Sequence, residues 1–300
     1  MKRVVVTGMG AITPIGNTVS DFWKSLSSGK NGVNKITLFD TENFNVKIAA
    51  EVKIDLNDFF SSKEINKIDR FSAFALIASE EAVTSSNLSS SKINKNRVGV
   101  ILGSGIGGIN TLEKQHKRLM SHPKKVSPYF IPSMISDIAA GNISIKHGFR
   151  GPNYAVVSAC ATGSHAIGDA YKMIKHGDAD IILAGGSEAG ISPLSIAGFS
   201  NMKALTKNTN IDSACRPFDL NRDGFVMGEG CGILVLEELE SALKRNVNIL
   251  GEMVGYGATA DAYHLTAPPD SGEGAALSMK NALIDAKLNS EDIQYINAHG

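Results

Sequence analysis

The 300-residue sequence predicts an α/β protein composed of two related halves. Short apolar segments typical of strands alternate with segments of helical spacing, which is the pattern of a sheet with crossover helices. The strand segments are apolar throughout, as expected where helices cover both faces of a sheet. A helix–strand–glycine unit in residues 75–105 recurs weakly in residues 275–300, which indicates duplication.

We place the first half at residues 1–248 and the start of the second half at residues 249–300. The chain is long enough to bury a large core. Two predicted strands and one helix cannot cover a sheet, however, so we expect the second half to be incomplete and the chain to be the front part of a longer protein.

The first predicted strand covers residues 2–7 and ends at a tight glycine turn, and an amphipathic helix follows at 21–26. A long helix at 63–83 is predicted because apolar side chains such as Phe71 and Phe74 recur at helical spacing. The remaining elements show the same two patterns. They are strands at 97–102, 154–157, 180–184, 231–236, 251–257 and 293–297, and helices at 134–145, 162–175 and 274–286.

Cys160 lies at the joint between a predicted strand and the predicted helix at 162–175. The N–H groups of a helix N-terminus favour the thiolate form of a cysteine, which is the nucleophilic form. Its neighbours Ala159, Ala161 and Gly163 are small, as a sharp strand-to-helix turn requires if a substrate is to reach the sulfur. The alternative is a buried structural thiol, since free cysteine is among the most buried residue types.

The charge, hydropathy and cysteine content of the sequence argue against several classes of function. Thirty basic and thirty acidic residues give a formal net charge of zero, so the overall charge indicates neither a nucleic acid nor a membrane surface as partner. No apolar run has the length of a signal peptide core or a membrane-spanning helix, so we expect a cytoplasmic protein. Three widely spaced cysteines form neither a disulfide framework nor a zinc site, and we interpret Cys215 and Cys231 as structural thiols.

Two motifs resemble ligand sites that their surroundings do not support. Residues 103–108 match the GxGxxG dinucleotide pattern, but no acidic residue ends a second strand about twenty residues later. We favour a glycine turn lining a pocket, with dinucleotide binding as the alternative. Residues from Asp219 begin like a calcium loop, but Gly230 stands at the twelfth position, so we predict a charge-satisfied turn over 216–230 and no metal.

His299 is the histidine whose position most suggests a function. It follows the predicted strand at 293–297, where loops of an α/β sheet meet ligands. We interpret the other six histidines, His165 among them, as surface or packing residues.

Four long motifs carry a family resemblance. They are VSACATGSHAIG around Cys160, RPFDLNRDGFVMGEG from Arg216, DAYHLTAPP from Asp261 and the terminal NAHG. Together they resemble the condensing enzymes of thiolase type, in particular the β-ketoacyl-[acyl-carrier-protein] synthase II family of bacterial fatty acid synthesis. The similarity runs from Lys2 to Gly300.

The resemblance implies a duplicated α/β/α/β/α layered fold, a homodimer and no cofactor. It implies that Cys160 accepts the acyl chain and that His299 is one of two catalytic histidines. The implied reaction is an acyl transfer followed by a decarboxylative Claisen condensation with a malonyl carrier protein, which gives 3-oxoacyl carrier protein and CO₂. The family's second histidine, later lysine and C-terminal phenylalanine loop have no counterpart here, so we expect a C-terminally truncated chain that cannot condense.

The resemblance also implies binding residues. Ile106, Phe130 and Phe199 match family positions that line the acyl pocket, with core packing as the alternative, and Thr266 matches a substrate-binding position. The family's acyl carrier protein is acidic, and five lysines match its docking surface, with a solvated face as the alternative. They are Lys63, Lys67, Lys124, Lys125 and Lys203.

Lys63, Lys67 and Arg70 are predicted to share one helix face, because they stand at positions i, i+4 and i+7. Besides the elongating synthase, three functions stay open: a polyketide-type ketosynthase with another carrier, a non-catalytic partner like a chain-length factor, and a degradative thiolase. The presence of Cys160 argues against the chain-length factor, and the AHG and GFVMGEG motifs argue against the thiolase.

Overall fold

The computed structural model describes residues 1–89 and 92–299. The strands of the central sheet are β1 (Val4–Ile12), β4 (Val98–Gly103), β5 (Asn153–Tyr154), β6 (Ile181–Glu188), β7 (Gly230–Glu238) and β8 (Gly251–Met253), and a separate ribbon pairs β2 (Asn34–Lys35) with β3 (Ile48–Ala49). The α-helices are α1 (Val19–Ser27), α2 (Ser62–Ile65), α3 (Arg70–Ser85), α4 (Ile109–Ser121), α5 (Phe130–Met134), α6 (Ile138–His147), α7 (Thr162–His176), α8 (Pro193–Asn201), α9 (Leu239–Arg245) and α10 (Glu273–Ala286).

The central sheet is mixed, with the strand order β5-β4-β6-β7-β1-β8. Strand β4 runs parallel to β5 and β6, whereas β7 runs antiparallel to both β6 and β1. The carboxyl ends of the parallel strands β4, β5 and β6 therefore lie at the same edge of the sheet, and the chain leaving β5 leads to Cys160.

Helices cover both faces of this sheet. On one face, α3 and α6 bury Phe71, Phe74 and Ile143 against Val100 and other residues of the sheet. On the opposite face, α7 buries Ala166, Ala170 and Ile174 against a second cluster that includes Ile101. Successive residues of β4 thus enter different clusters, because side chains alternate across a strand. The predicted α/β architecture with apolar strands buried on both faces is confirmed.

The predicted long helix at 63–83 is wrong, because two helices separated by a break occupy this region. Helix α2 ends at Ile65 and α3 begins at Arg70. Between them Asp69 caps α3, with its side chain accepting a hydrogen bond from the Phe71 amide at 3.4 Å, and it also accepts one from the Thr111 amide at 2.7 Å. Aspartate is favoured as an N-cap and disfavoured inside a helix, which explains the break.

Four predicted strands differ in the structure. The first does not end at a glycine turn, because β1 continues through Gly8 and Gly10 to Ile12, and the strand predicted at 251–257 is shortened to β8, Gly251–Met253. The strand predicted at 154–157 is shortened to β5, Asn153–Tyr154, and Val157 is exposed. The strand predicted at 293–297 is absent from the described residues, where no strand pairs with this segment and Tyr295 is 79% exposed. An extended segment becomes a strand only through ladder hydrogen bonds, and apolar composition alone does not supply a partner.

Residues after 249 are attached to the first half of the chain. Strand β8 pairs with β1, and Tyr171 of α7 donates a hydrogen bond to the Val254 carbonyl at 2.9 Å. Lys175 forms a 2.6 Å ion pair with Asp285 at the end of α10. The division between halves at residues 248 and 249 stays a prediction.

Within residues 1–89 and 92–299, no helix is both long and apolar enough to span a lipid bilayer.

Candidate active site

Cys160 lies in a single 3-10 turn, Ala159–Ala161, immediately before α7. Its side chain is exposed, as is that of Cys215, whereas Cys231 is buried in β7. Burial raises the pKa of the Cys231 thiol to about 12, so this cysteine stays protonated at neutral pH. Exposure and position together make Cys160 the thiol available to a substrate at a helix start.

The turn that carries Cys160 has an unfavourable backbone conformation. Ala159 has a φ of 50°, in the left-handed region that favours glycine. Ser158 holds the turn from its N-terminal side, because its amide donates to Thr162 Oγ1 at 2.8 Å and its carbonyl accepts from the Ala161 amide at 3.1 Å.

A loop rich in glycine passes directly beside this turn. A Cβ atom on Gly103 would lie 2.1 Å from Thr162 Cγ2, and one on Gly105 would lie 3.5 Å from the Ala159 carbonyl oxygen. Gly103 therefore leaves no space for a larger residue between β4 and the first turn of α7. This close approach places residues 103–108 against the wall of the site.

Glu188, at the end of β6, holds the same loop. Its carboxylate accepts hydrogen bonds from Ser104 Oγ at 3.0 Å and from the amides of Gly105 and Ile106 at 2.8 and 3.1 Å. Burial raises the pKa of Glu188 and outweighs these hydrogen bonds, which favour the charged form. The amides that a dinucleotide phosphate would need thus bind a carboxylate of the protein itself, so the loop fits the glycine-turn interpretation.

Sequence and structure comparisons identify the family. A family model described as the N-terminal domain of β-ketoacyl synthases matches residues 1–242, and one for the C-terminal domain matches residues 250–300. A 3-oxoacyl-[acyl-carrier-protein] synthase 2 from Staphylococcus aureus (strain COL) is 51% identical over 301 residues, covering 100% of this chain and 73% of the relative. The chain belongs to the β-ketoacyl synthase family.

Solved structures agree with this assignment. A β-ketoacyl synthase from Burkholderia phymatum STM815 has a TM-score of 0.90 at 34% identity, covering 100% of this chain and 74% of that one. A second structure, a type II PKS acyl-carrier protein in complex with its ketosynthase bound to the hexaketide, has a TM-score of 0.91 at 36% identity, with 100% and 73% covered. The predicted thiolase-like α/β fold and the predicted family are therefore confirmed.

The four residues predicted to bind substrate lie on separate segments of this synthase. Ile106 is partly exposed in the loop held by Glu188, and Phe130 begins α5. Phe199, on α8, packs edge-on against Phe225 with ring centroids 5.7 Å apart. Thr266 is exposed in a loop, where its amide donates to His264 Nδ1 at 3.2 Å. Their roles in substrate binding stay predictions.

His299 is exposed and follows the segment that was wrongly predicted to be a strand. Within residues 1–89 and 92–299, the structure records no hydrogen bond from His299 to any side chain, Cys160 included. The structure thus places Cys160 in a defined turn but does not join His299 to it, and the catalytic role of His299 stays a prediction.

The predicted docking lysines fall into groups. Lys63 lies on α2, and Lys67 lies in the break before α3 with its Nζ 5.0 Å from the centroid of the Tyr129 ring. Lys124 and Lys125 lie in a 3-10 turn, Pro123–Lys125. Lys203 follows α8 with a φ of 58°.

Arg70 does not share a surface with these lysines, and the predicted common helix face is wrong. Its side chain is 18% exposed and forms a 2.7 Å ion pair with Glu229, whose side chain is 0% exposed. The break between α2 and α3 separates Lys63 from Arg70, and burial of the ion pair withdraws Arg70 from solvent.

The charges of the turn over residues 216–230 are paired partly within the turn, by Arg216 with Asp223, and partly from outside it, by Arg70 with Glu229. Asp223 accepts hydrogen bonds from Thr206 Oγ1 at 2.8 Å and from Arg216 Nη2 at 3.2 Å. The bond from Thr206 contributes most to lowering the pKa of Asp223 below its ordinary value. The described part of the chain holds no group of three or more His, Cys, Asp or Glu side chains arranged for a metal ion.

Two features of the site were missed from the sequence. Glu188 was not singled out, because its partners Ser104 and Gly105 lie more than 80 residues earlier. His165 was interpreted as a surface or packing residue, but its Nδ1 lies 2.7 Å from Ser158 Oγ. The available signal was the placement of Ser158 and His165 on either side of Cys160, one before the helix start and one within its first turns.

Proposed function

We propose that this β-ketoacyl synthase, when the family's second catalytic histidine is present, elongates acyl chains attached to an acidic acyl carrier protein in fatty acid synthesis. The observation that carries the proposal is the exposed thiol of Cys160 on a strained turn at the N-terminus of α7. The family match and the 51% identity to a 3-oxoacyl-[acyl-carrier-protein] synthase 2 support the reaction class.

In the first step the Cys160 thiolate attacks the carbonyl carbon of the acyl carrier thioester. A new C–S bond forms to Cys160, the bond to the carrier sulfur breaks, and the carrier thiolate takes up a proton. The Cys160 amide has no backbone hydrogen-bond partner among the described residues, so it is free to donate to the tetrahedral oxyanion. The covalent intermediate divides one difficult condensation into two steps.

In the second step malonyl carrier protein loses CO₂, and the electron pair of the broken C–C bond forms an enolate. The enolate carbon attacks the Cys160 thioester, a C–C bond forms, and Cys160 leaves as thiolate, which gives the 3-oxoacyl carrier protein. We assign to His299 the stabilisation of the enolate oxygen by hydrogen bonding. We further propose that the enzyme acts in the cytoplasm as a homodimer.

Ile106, Phe130, Phe199 and Thr266 are our candidates for the residues that contact the acyl substrate. Ile106 supports this proposal because its backbone is fixed by Glu188 and the adjoining glycine loop reaches the Cys160 turn. The five predicted docking lysines are our candidates for carrier docking, since exposed positive charge steers an acidic partner. They are Lys63, Lys67, Lys124 and Lys125, with Lys203 at a separate position.

Intact-mass analysis after incubation with acyl carrier protein tests the assignment of Cys160. We expect one acyl adduct, mapped to the peptide that contains Cys160 and absent from Cys160→Ala. An adduct on Cys215 or Cys231, or one that survives Cys160→Ala, would show that the nucleophile is a different residue. His299→Ala should still acquire the acyl group, because its role belongs to the second step.

A polyketide-type ketosynthase is the second candidate function. The 36% identity to a ketosynthase bound to a hexaketide favours it over a chain-length factor or a degradative thiolase. Carrier proteins separate the two candidate functions: we expect faster acylation from a fatty acid synthesis carrier than from a type II PKS carrier with the same acyl group. The reverse preference would favour the polyketide assignment.

A further inference from the structure

We propose that Ser158 and His165 form a positioning pair that fixes the turn of Cys160 for acyl transfer. This inference rests on the proposed function, in which Cys160 is the nucleophile. It begins from the 2.7 Å hydrogen bond between Ser158 Oγ and His165 Nδ1. One partner precedes Cys160 and the other lies on α7, so the bond spans the turn that carries the thiol.

The backbone of Ser158 is engaged as well as its side chain. Its amide donates to Thr162 Oγ1 at 2.8 Å and its carbonyl accepts from the Ala161 amide at 3.1 Å, while its hydroxyl bonds to His165. Thr162 and His165 are three residues apart on α7, so they lie on the same side of the helix. Ser158 is therefore tied to the helix at two points, one from its backbone and one from its side chain.

The turn needs such ties because Ala159 is strained. A residue with a Cβ atom is disfavoured in the left-handed region, and Ala159 has a φ of 50°. A strained conformation persists only where the surrounding contacts determine it. Ser158 and Cys160 flank Ala159 directly, so relaxation of Ala159 would reorient the Cys160 amide and thiol.

Histidine suits the role because Nδ1, the atom that bonds to Ser158, is the ring nitrogen nearer to the backbone. Either neutral tautomer of His165 keeps the bond, because the Ser158 hydroxyl can donate a proton to Nδ1 or accept one from it. The structure gives His165 no hydrogen bond to Cys160 among the described residues. Its action on the thiol is therefore through Ser158, as a positioning residue.

Variants of His165 distinguish positioning from packing. His165→Asn keeps a polar atom at the position of Nδ1, whereas His165→Gln moves it to the position of Nε2. Ser158→Ala removes only the hydroxyl. His176→Ala is the matched control, because His176 is an exposed histidine in the last turn of the same helix.

Acyl transfer from carrier protein and alkylation of Cys160 by iodoacetamide are both measured. We expect His165→Ala, His165→Gln and Ser158→Ala to lower the saturating acylation rate on the order of 10- to 100-fold with little change in KM, since small misplacements of reacting groups have effects of this size. His165→Asn should recover most of the rate, and His176→Ala should match the parent. The double variant Ser158→Ala/His165→Ala should be no slower than either single one.

Equal rates for His165→Asn and His165→Gln, or additive losses in the double variant, would overturn the proposal. If His165→Ala fails to fold, the acylation rate of Ser158→Ala is compared with that of the parent instead. If the parent protein is not acylated at Cys160, the proposed function fails, and alkylation still decides the inference. The pair is supported if His165→Gln and Ser158→Ala change the Cys160 alkylation rate in the same way and His165→Asn restores the parent rate, with all variants at equal melting temperature. If the alkylation rate does not change in this way, the pair is refuted.

Discussion

Removal of the Arg70 guanidinium should destabilise the protein strongly, because it leaves a buried carboxylate unpaired. Glu229 accepts hydrogen bonds from Arg70 Nε at 3.0 Å and Nη2 at 2.7 Å, and from the Val52 amide at 2.9 Å. Arg70 also donates to the Val52 carbonyl at 2.9 Å and lies 4.7 Å from the centroid of the Phe74 ring. In Arg70→Ala the carboxylate keeps only the Val52 amide among these partners.

Breaking a buried ion pair from one side costs about 3–5 kcal/mol, so Arg70→Ala should lower the free energy of unfolding by that amount. The double variant Arg70→Ala/Glu229→Gln should lose less, because it leaves no uncompensated charge. Urea unfolding followed by circular dichroism measures both. Mutation of both partners thus separates the cost of the unpaired charge from the loss of packing against Phe74.

The chain contains a matched control for burial. Arg3 forms a bidentate pair with Glu252 at 2.6 and 2.7 Å, almost the same geometry, but its side chain is 65% exposed. Water replaces the lost partner at an exposed site, so Arg3→Ala should shift the urea midpoint far less than Arg70→Ala. Equal shifts in the two variants, or a double variant no more stable than Arg70→Ala, would contradict the argument from burial.

Three further predictions concern the site. The double variant Lys124→Glu/Lys125→Glu should raise the KM for carrier-linked substrate and leave turnover of a small thioester unchanged, and added salt should have the same effect on the parent. An equal loss of activity with both substrates would indicate misfolding instead. The raised pKa of Glu188 means that its contribution to stability is complete below the unfolded pKa of about 4.3 and is lost as pH rises through the folded pKa. The stability of the parent relative to Glu188→Gln should therefore fall in urea titrations as pH rises above the unfolded pKa, and a constant difference would refute this. At about pH 8 iodoacetamide should label Cys160 and spare Cys231, whose pKa of about 12 leaves almost no thiolate; peptide mapping that finds Cys231 modified first would contradict its burial.

The sequence alone was sufficient for the elements that depend on local pattern. The strands at 97–102, 180–184 and 231–236 and the helix at 162–175 are confirmed within a few residues. Periodicity of apolar residues is a short-range property, and so is the position of Cys160 before a helix. The family also followed from the sequence, because its motifs are continuous stretches of chain.

The tertiary structure decided every feature whose partner is distant in sequence. Arg70 was assigned to a surface, but Glu229, 159 residues later, pairs with it and buries it. Glu188 reaches a loop 84 residues earlier, and the segment at 293–297 has strand composition but no paired strand among the described residues. A side chain's charge, burial and hydrogen bonding depend on what the fold brings against it, and local sequence carries no record of that neighbour.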